Sequence, residues 1–206
     1  MFVRPEVLVR AERRANAERS AATRGALIEV ARRLFTEKGY VDVGTEEIVR
    51  HAKVTRGALY HHFSDKRDLF GAVHEQVEEE MVAAIAAATD GINDPVELLQ
   101  AAVRKFLDLC TDSNWTRIPL IDAPSVLGWS EWRAVDMRYG LGLATAALTA
   151  AMDAGAITQA PVRPLAHILL AAMGEAGLMI ATAELPSAER AEVEPTLMAL
   201  IEGLRV

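Results

Sequence analysis

The sequence predicts an all-α protein, and two patterns support this fold class. Apolar residues recur at the spacing of a helix through most of the 206 residues, whereas no run of alternating β-branched residues is present. Apolar residues make up 51% of the chain and charged residues 25%, which suits one or two ordinary soluble domains. We therefore expect helices packed around a sizeable apolar core.

The first two helices are predicted between residues 23 and 52. The first covers residues 23–38 and carries an apolar stripe, and Gly39 is placed to end it. The second begins at Thr45, a good N-cap residue, and the two glutamates that follow favour the positive end of the helix dipole. This second helix is short and ends near Ala52.

The third and fourth helices follow directly. The third starts at Thr55 and continues to Phe63. Ser64 then caps a long fourth helix, whose apolar positions continue through Ile85. Three shorter helices therefore precede one long helix.

The remaining helices are separated by prolines. Residues 94–97, Asp-Pro-Val-Glu, combine an N-cap, a first-turn proline and an acidic residue, and predict a helix to about Cys110. Residues 114–128 hold two prolines and are expected to form short pieces. A helix over residues 129–154 follows, and Pro186 separates the last two helices.

Charge is distributed unevenly along the chain. Residues 1–70 hold 14 basic and 10 acidic residues, a net charge of +4, whereas residues 71–206 hold 8 and 19, a net charge of −11. The first segment can approach phosphates and the second would be repelled by them. Basic residues that merely solvate helix faces would give the same net charge. Only sequence motifs can therefore distinguish a DNA-binding segment from ordinary helix surfaces.

The N-terminal residues and the cysteine content bear on location. Residues 1–20 interleave arginines with glutamates and lack the apolar core of a signal peptide, so we expect a flexible basic arm and no export signal. Cys110 is the single cysteine, which excludes an intramolecular disulfide. Both features favour a cytoplasmic protein.

Residues 44–63 have the form of a helix-turn-helix. Two brief helices are joined by a tight turn, and their apolar residues supply a small core that fixes the crossing angle. Arg56, Tyr60 and His61 are left to face outward, on a helix that suits the major groove of DNA.

Four segments resemble the signature of the TetR family of transcriptional regulators. They are Phe35-Thr-Glu-Lys-Gly39-Tyr40, Thr45-Glu-Glu-Ile-Val49, Gly57-Ala-Leu-Tyr60-His-His-Phe63 and Ser64-Asp-Lys66. The resemblance covers about residues 21–81. It departs at Lys53, where the family usually has glycine, and a left-handed backbone there would strain lysine by about 1 kcal/mol.

The resemblance implies a two-part architecture and a function. A three-helix DNA-binding domain (residues 21–81) would be joined by a long helix to a helical ligand-binding and dimerisation domain (residues 82–206). The expected function is a DNA-binding transcriptional regulator, a homodimeric repressor released from its operator by an unidentified small-molecule effector. No cofactor, metal site or membrane partner is expected.

The resemblance also implies roles for individual residues. Arg56 would contact a guanine base, and Gly57 would let the helix backbone approach the duplex. The helix N-termini capped by Thr45 and Thr55 would hold phosphate oxygens. Contacts that position the protein on the phosphates would come from three residues: Tyr60, His61 and Lys66.

In the C-terminal half, large side chains at helical spacing suggest a cavity or an ordinary core, and the sequence leaves both open. These side chains are Phe106, Trp115, Trp129, Trp132 and Tyr139. Arg117 and Asp122 either orient a polar effector or pair with each other, and pairing is the preferred interpretation.

The last two helices offer a surface for dimerisation. Small residues between Ala171 and Gly177 leave a closely approachable face, and the final helix adds a leucine-rich stripe that includes Leu197 and Leu200. Packing within one chain is the alternative for both.

The sequence disfavours an enzyme and a membrane-spanning protein. An enzyme is disfavoured, because residues 74–78 lack the second histidine of a zinc-protease motif and residues 140–142 lack a third glycine and a preceding strand. Residues 164–183 are apolar enough to suggest a membrane span, but they contain His167 and Glu175 and predict a buried helix of a soluble protein.

Overall fold

The structure is a computed structural model that describes the backbone of residues 5–206 and the side chains of residues 14–206. The chain divides into two compact units, residues 1–73 (unit 1) and residues 74–206 (unit 2). The described residues are mostly helical, which confirms the predicted fold class, and residues 1–4 lie outside them. The division falls between Val73 and His74, a little before the boundary expected at residue 81.

Unit 1 contains three helices and the first part of a fourth. They are α1 (Pro5–Lys38), α2 (Thr45–Ala52), α3 (Arg56–His62) and the start of α4 (Lys66–Thr89). The first helix begins at Pro5, so the described part of the segment expected as a flexible arm, residues 5–20, has helical backbone. Proline is well suited to a helix start, because its fixed φ fits the first turn and its missing N–H group is not needed there.

An apolar core holds the helices of unit 1 together. Leu27, Leu34 and Phe35 of α1 are fully buried together with Ile48 of α2 and Leu59 of α3. Phe63, at the end of α3, is also buried, as predicted. This core fixes α3 on the other helices while leaving its opposite face exposed.

The three helix starts in this region differ in how they are capped. Gly44 holds the N-cap position of α2 with extended backbone and no side-chain cap, so the prediction that Thr45 caps this helix is wrong. Thr45 is already the first helical residue. Thr55 does cap α3, since its Oγ1 accepts a hydrogen bond from Ala58 N at 3.1 Å.

The cap of α4 is one residue later than predicted. Asp65 Oδ1 accepts a hydrogen bond from Asp68 N at 2.8 Å. Ser64 instead donates from its N and Oγ to Asp68 Oδ2. The side chain of Asp65 thus accepts from an amide group inside the helix, and the side chain of Asp68 accepts from an amide group before it, which is the reciprocal arrangement of a capping box.

Unit 2 continues along α4 and adds further helices. They are α5 (Pro95–Leu109), α6 (Ser113–Thr116), a π-helix (Arg117–Asp122), α7 (Ala123–Leu127), α8 (Trp129–Asp153), α9 (Val162–Thr182) and α10 (Pro186–Glu202). Asp94 caps α5 through hydrogen bonds from Val96 N and Glu97 N, as predicted. The short pieces predicted for residues 114–128 are also present.

Helix α9 lies close to α5 and to the π-helix. A Cβ atom at Gly177 would lie 2.9 Å from Phe106 Cζ and 3.0 Å from Cys110 Sγ, so only glycine allows this approach. Ala166, Ala176 and Ile180 of α9 are buried in the same core. One face of α9 is therefore used inside the chain.

The other face of α9 is exposed within one chain. Among the described helices, only α9 is long and apolar enough to cross a membrane by length and composition, and 22% of its most apolar stretch is buried. Ile168, Leu178 and Met179 are exposed. The sequence predicted that residues 164–183 form a buried helix, and only the inner face of α9 is buried.

Candidate nucleic-acid interface and ligand cavity

Helix α3 presents polar groups on its outer face. The Arg56 side chain is 63% exposed, Tyr60 is 44% exposed and His61 is exposed, whereas Leu59 between them is buried. This alternation follows from the helical period, which places one side of α3 on the core and the other in solvent. The structure therefore brings three predicted contact residues to one surface.

Two contacts orient Arg56 in the free protein. Its Nη1 donates to Glu46 Oε1 on α2 at 2.9 Å, and its guanidinium carbon lies 5.5 Å from the centroid of the Tyr60 ring. A hydrogen bond with Tyr60, followed by the charges of Tyr60 and Glu46, raises the pKa of Arg56. Arg56 is therefore a cation already directed along the outer face of the helix-turn-helix.

Gly57 has no internal reason to be glycine. A Cβ atom there would meet only Thr55 Oγ1, at 3.8 Å, which is ordinary contact. Glycine near the start of a helix costs stability relative to alanine. Nothing inside the chain therefore requires glycine at this position.

Lys66 has partners inside unit 1. Its Nζ donates to the carbonyl oxygens of Tyr40 and Val43, both at 2.9 Å, and lies 4.0 Å from the centroid of the Tyr40 ring. Burial lowers the pKa of this lysine. Two of its three N–H donors thus hold the loop between α1 and α2, a role that differs from the phosphate contact expected from the sequence.

The turn between α2 and α3 contains the unusual residue of the motif. Lys53 adopts the left-handed conformation expected for it, with φ 55° and ψ 37°. His51 and Arg50, at the end of α2, are exposed as well. The family resemblance does not point to these basic residues, although they stand shortly before Arg56 in the sequence.

The remaining histidine of α3 is partly covered. His62 is half-buried, and burial, followed by the charge of His61, lowers its pKa. Its ring centroid lies 5.1 Å from that of His61. His62 therefore stays with the edge of the core rather than with the outer face.

Unit 2 encloses a cavity of about 510 Å³ between α4, α5, α8 and α9. Three of the predicted ligand contacts line it: Phe106, Trp129 and Trp132. Trp129 is 69% exposed and marks an opening to solvent. The Trp132 Nε1 group donates to Pro119 O at 2.8 Å, which fixes the orientation of its ring.

Trp115 and Tyr139 are not among the residues that line this cavity. Trp115 is half-buried and packs against the apolar core of unit 2. Tyr139 lies near Glu75, Glu79 and Arg138, and burial raises its pKa. Helical spacing identified the right region but could not tell which face of each helix meets the cavity.

The cavity wall also contains polar side chains that the sequence did not single out. Glu78 of α4 and Arg133 and Asp136 of α8 line it, and Arg133 Nη1 donates to Asp136 Oδ2 at 2.5 Å. Burial, followed by the charge of Glu78, raises the pKa of Asp136 to about 6 against the opposing effect of Arg133. A run of three acidic residues such as 78–80 is usually a solvated helix face, but Glu78 is only 9% exposed.

The preferred pairing of Arg117 with Asp122 is present. Arg117 Nε lies 3.6 Å from Asp122 Oδ2, so the two residues pair with each other across the π-helix. Cys110 is buried, and this burial raises the pKa of its thiol to about 12, which fits inert packing. Among residues 14–206, no group of three or more histidine, cysteine or acidic side chains is placed to hold a metal ion.

Two family descriptions match the chain. Bacterial regulatory proteins of the tetR family match residues 27–73, which hold the helix-turn-helix. A C-terminal domain described as tetracyclin repressor-like matches residues 96–204, more than half of the chain.

Individual proteins agree with these matches. The Transposon Tn10 TetC protein of Escherichia coli is 34% identical over 125 residues, which are 61% of this chain and 63% of that protein. The HTH-type transcriptional activator FasR of Mycolicibacterium smegmatis is 35% identical over 85 residues, or 41% of this chain and 39% of that protein. The matched segments span less than two thirds of both relatives.

A solved structure covers nearly the whole chain. It is a TetR-family transcriptional regulator from Pectobacterium atrosepticum, with 32% identity and a TM-score of 0.83 over 92% of this chain and 97% of that one. FasR and the protein of the solved structure are both named as transcriptional regulators.

Proposed function

Because the chain belongs to the tetR family of bacterial regulatory proteins, we propose that it binds operator DNA as a homodimer and represses transcription until a small-molecule effector enters its cavity. The observation that carries the DNA-binding part is the exposed outer face of α3, held on a buried core. Such a protein acts in the bacterial cytoplasm, where its operator lies.

The polar groups of α3 suit distinct parts of a DNA duplex. Arg56 can pair with guanine O6 and N7, and its cationic guanidinium is directed outward before binding. Tyr60 and His61 suit phosphate oxygens, which set register rather than sequence. Thr55 caps α3, the helix that enters the groove. Thr45 begins α2, and Lys66 holds the loop before α2, so these two residues act through the position of α2.

The last two helices support the homodimer. The exposed apolar face of α9 includes Ile168 and Met179, and Leu200 of α10 is 57% exposed. An exposed apolar surface of this kind marks an interface in a soluble protein. The leucine stripe is divided, however, since Leu197 is 4% exposed and belongs to the core of its own chain.

The cavity supports the effector. Its volume of about 510 Å³ lies in the range of about 300–1,000 Å³ that is typical of sites for drug-sized ligands. Its walls are mainly apolar and include two tryptophans. A small molecule that buries apolar surface there would stabilise one arrangement of the surrounding helices.

Selection of binding sites from random duplexes tests the function directly. We expect enrichment of a sequence with two related half-sites about 34–36 Å apart, as a two-fold dimer requires. Arg56→Ala should then reduce the discrimination between that sequence and random DNA by about 1–3 kcal/mol. Arg163→Ala, at an exposed arginine of unit 2, is the matched control and should leave it unchanged.

A transcription assay separates repression from activation. One relative is named an activator, whereas the matched C-terminal domain is described as repressor-like. In transcription in vitro from a promoter that overlaps the selected site, the protein should reduce the transcript. No enriched sequence, or an increase in transcript, would contradict the corresponding part of the proposal.

A further inference from the structure

The cavity of unit 2 combines apolar walls with an excess of negative charge. Glu78, Asp136 and Glu175 line it and contribute three carboxyl groups, against the single guanidinium of Arg133. Arg133 is already committed to Asp136 at 2.5 Å. The charged groups of the wall therefore do not neutralise one another.

Glu78 is the most buried of these three carboxyl groups. Its side chain is 12% exposed, and His74 Nε2 lies 3.3 Å from its Oε1. Among the described residues, no arginine or lysine nitrogen lies within 4.0 Å of its oxygens. A buried carboxylate that has only a histidine beside it is costly. A cationic ligand would supply an opposite charge that does not depend on protonation of His74.

His74, the neighbour of Glu78, also indicates that this corner is incomplete. The residue is fully buried, yet neither its Nδ1 nor its Nε2 has a hydrogen-bond partner in the part of the chain that the structure describes. Buried polar groups without partners are rare and call for an explanation. A ligand that draws Glu78 into a defined contact would also order the histidine beside it.

Aromatic rings complete the wall. Trp129 and Trp132 both line the cavity, with their ring centroids 4.9 Å apart and an interplanar angle of 51°. The faces of tryptophan rings attract cations more strongly than those of other aromatic residues. Unit 2 as a whole also has a net charge of −11, and a field of this sign raises the local concentration of cations.

We infer that the effector of this protein is a hydrophobic organic cation, with its positive charge near Glu78 and Asp136 and its apolar body against the tryptophans. This inference rests on the proposed function only in taking the cavity as the effector site. Anionic ligands of equal size are disfavoured, because they would be placed beside two carboxyl groups with Arg133 already paired.

A pair of probes with the same shape and opposite charge tests the sign of the charge. Tetraphenylphosphonium and tetraphenylborate each carry four phenyl rings around a central atom, the first as a cation and the second as an anion. Titration of the full chain by calorimetry, without DNA, should show one saturable site per chain for the cation and at least about tenfold weaker binding of the anion. Equal or tighter binding of tetraphenylborate, or no binding of the cation, would overturn the inference.

Variants of neighbouring glutamates test the location. Glu78→Gln should weaken binding of tetraphenylphosphonium by about tenfold, and Asp136→Asn should weaken it in the same direction. Glu79→Gln removes the same charge from the adjacent exposed residue, which does not line the cavity, and is the matched control. If Glu78→Gln and Asp136→Asn both bind the cation as tightly as Glu79→Gln does, the assigned site is wrong.

These titrations contain no DNA, so they do not depend on operator binding. A protein that binds the cation at Glu78 but selects no DNA sequence would contradict the proposed function alone. A protein that selects DNA but binds neither cation nor anion would contradict this inference alone.

Discussion

Gly57 is the residue at which stability and DNA binding are expected to oppose each other. A methyl group fits there without a clash inside the chain, so Gly57→Ala should raise the free energy of unfolding by about 0.5–1 kcal/mol. The same methyl group would lie between α3 and the DNA and should lower operator affinity. Chemical denaturation and fluorescence anisotropy with the selected operator measure the two effects.

Gly142→Ala is the control for this prediction. Gly142 is also exposed in a helix with open space around its Cα, but it lies on α8 in unit 2. It should give a similar gain in stability with unchanged operator affinity. Unchanged operator affinity for Gly57→Ala as well would show that no close approach occurs at this position.

Asp136 should make stability depend on pH with a defined sign. Its pKa is raised to about 6 from 3.8 by burial and by Glu78, while Arg133 and His74 oppose the shift. The folded chain therefore binds this proton more tightly than the unfolded chain does. The free energy of unfolding should fall as pH rises from about 4 to about 6, by on the order of 2 kcal/mol from this group.

Comparison with an asparagine variant isolates that contribution. Asp136→Asn cannot titrate, so its stability relative to the unmodified chain should be more favourable at pH 7 than at pH 4.5. Asp153→Asn, at an exposed residue near the end of the same helix, should show no such difference. Urea denaturation at both pH values provides the measurement, and parallel curves for Asp136→Asn would contradict the shifted pKa.

Individual residues show what the sequence could predict. The left-handed backbone of Lys53 and the cap at Thr55 were predictable, because turn and cap geometries depend on local residues. The partners of Lys66 were not, since its hydrogen bonds reach residues 23 and 26 positions earlier in the chain. The burial of Glu78 depends on packing between helices, and a run of three glutamates gives no sign of it.

At the scale of helices, the pattern of apolar residues located most elements but not their outer faces. The boundaries of α5 and the broken segment after it follow from an N-cap and from prolines. The leucine-rich stripe of α10 was also predictable from the sequence, yet its leucines differ in their surroundings. Leu197 packs in the core of its own chain, and Leu200 points away from it.

This difference gives a prediction about the dimer. Leu200→Glu should weaken dimerisation by at least about tenfold while leaving the chain folded, because it places a charge in the proposed apolar interface. Leu197→Glu should instead unfold the chain, since it buries a charge within one subunit. Sedimentation velocity together with circular dichroism distinguishes the two results.

Ala191→Glu is the matched control on α10. Ala191 is exposed and lies nine residues before Leu200, about half a turn away around the helix. It adds the same charge to the opposite side and should leave the dimer intact. A dimer that persists in Leu200→Glu at every concentration would place the interface elsewhere.

At the scale of the whole molecule, the proposed function couples a cavity in unit 2 to DNA binding by unit 1. Helix α4 belongs to both, since Leu69 and Phe70 lie in the core of unit 1, whereas Glu78 and Met81 line the cavity. A cation held by Glu78 therefore acts on a helix that also anchors the DNA-binding unit. Free energies of coupling between two sites are typically about 1–3 kcal/mol.

Linkage makes this coupling measurable from either ligand. We expect tetraphenylphosphonium at saturation to weaken operator binding by about 5–150-fold, and the operator to weaken binding of the cation by the same factor, because both report one coupling free energy. Calorimetric titration of the cation with and without the selected operator gives one factor, and anisotropy titration of the operator with and without the cation gives the other. Random DNA of the same length, at a concentration too low to be bound, is the control for effects on the probe itself. If the cation binds with the same affinity to the free protein and to the operator complex, the cavity does not control DNA binding, even where both sites are real.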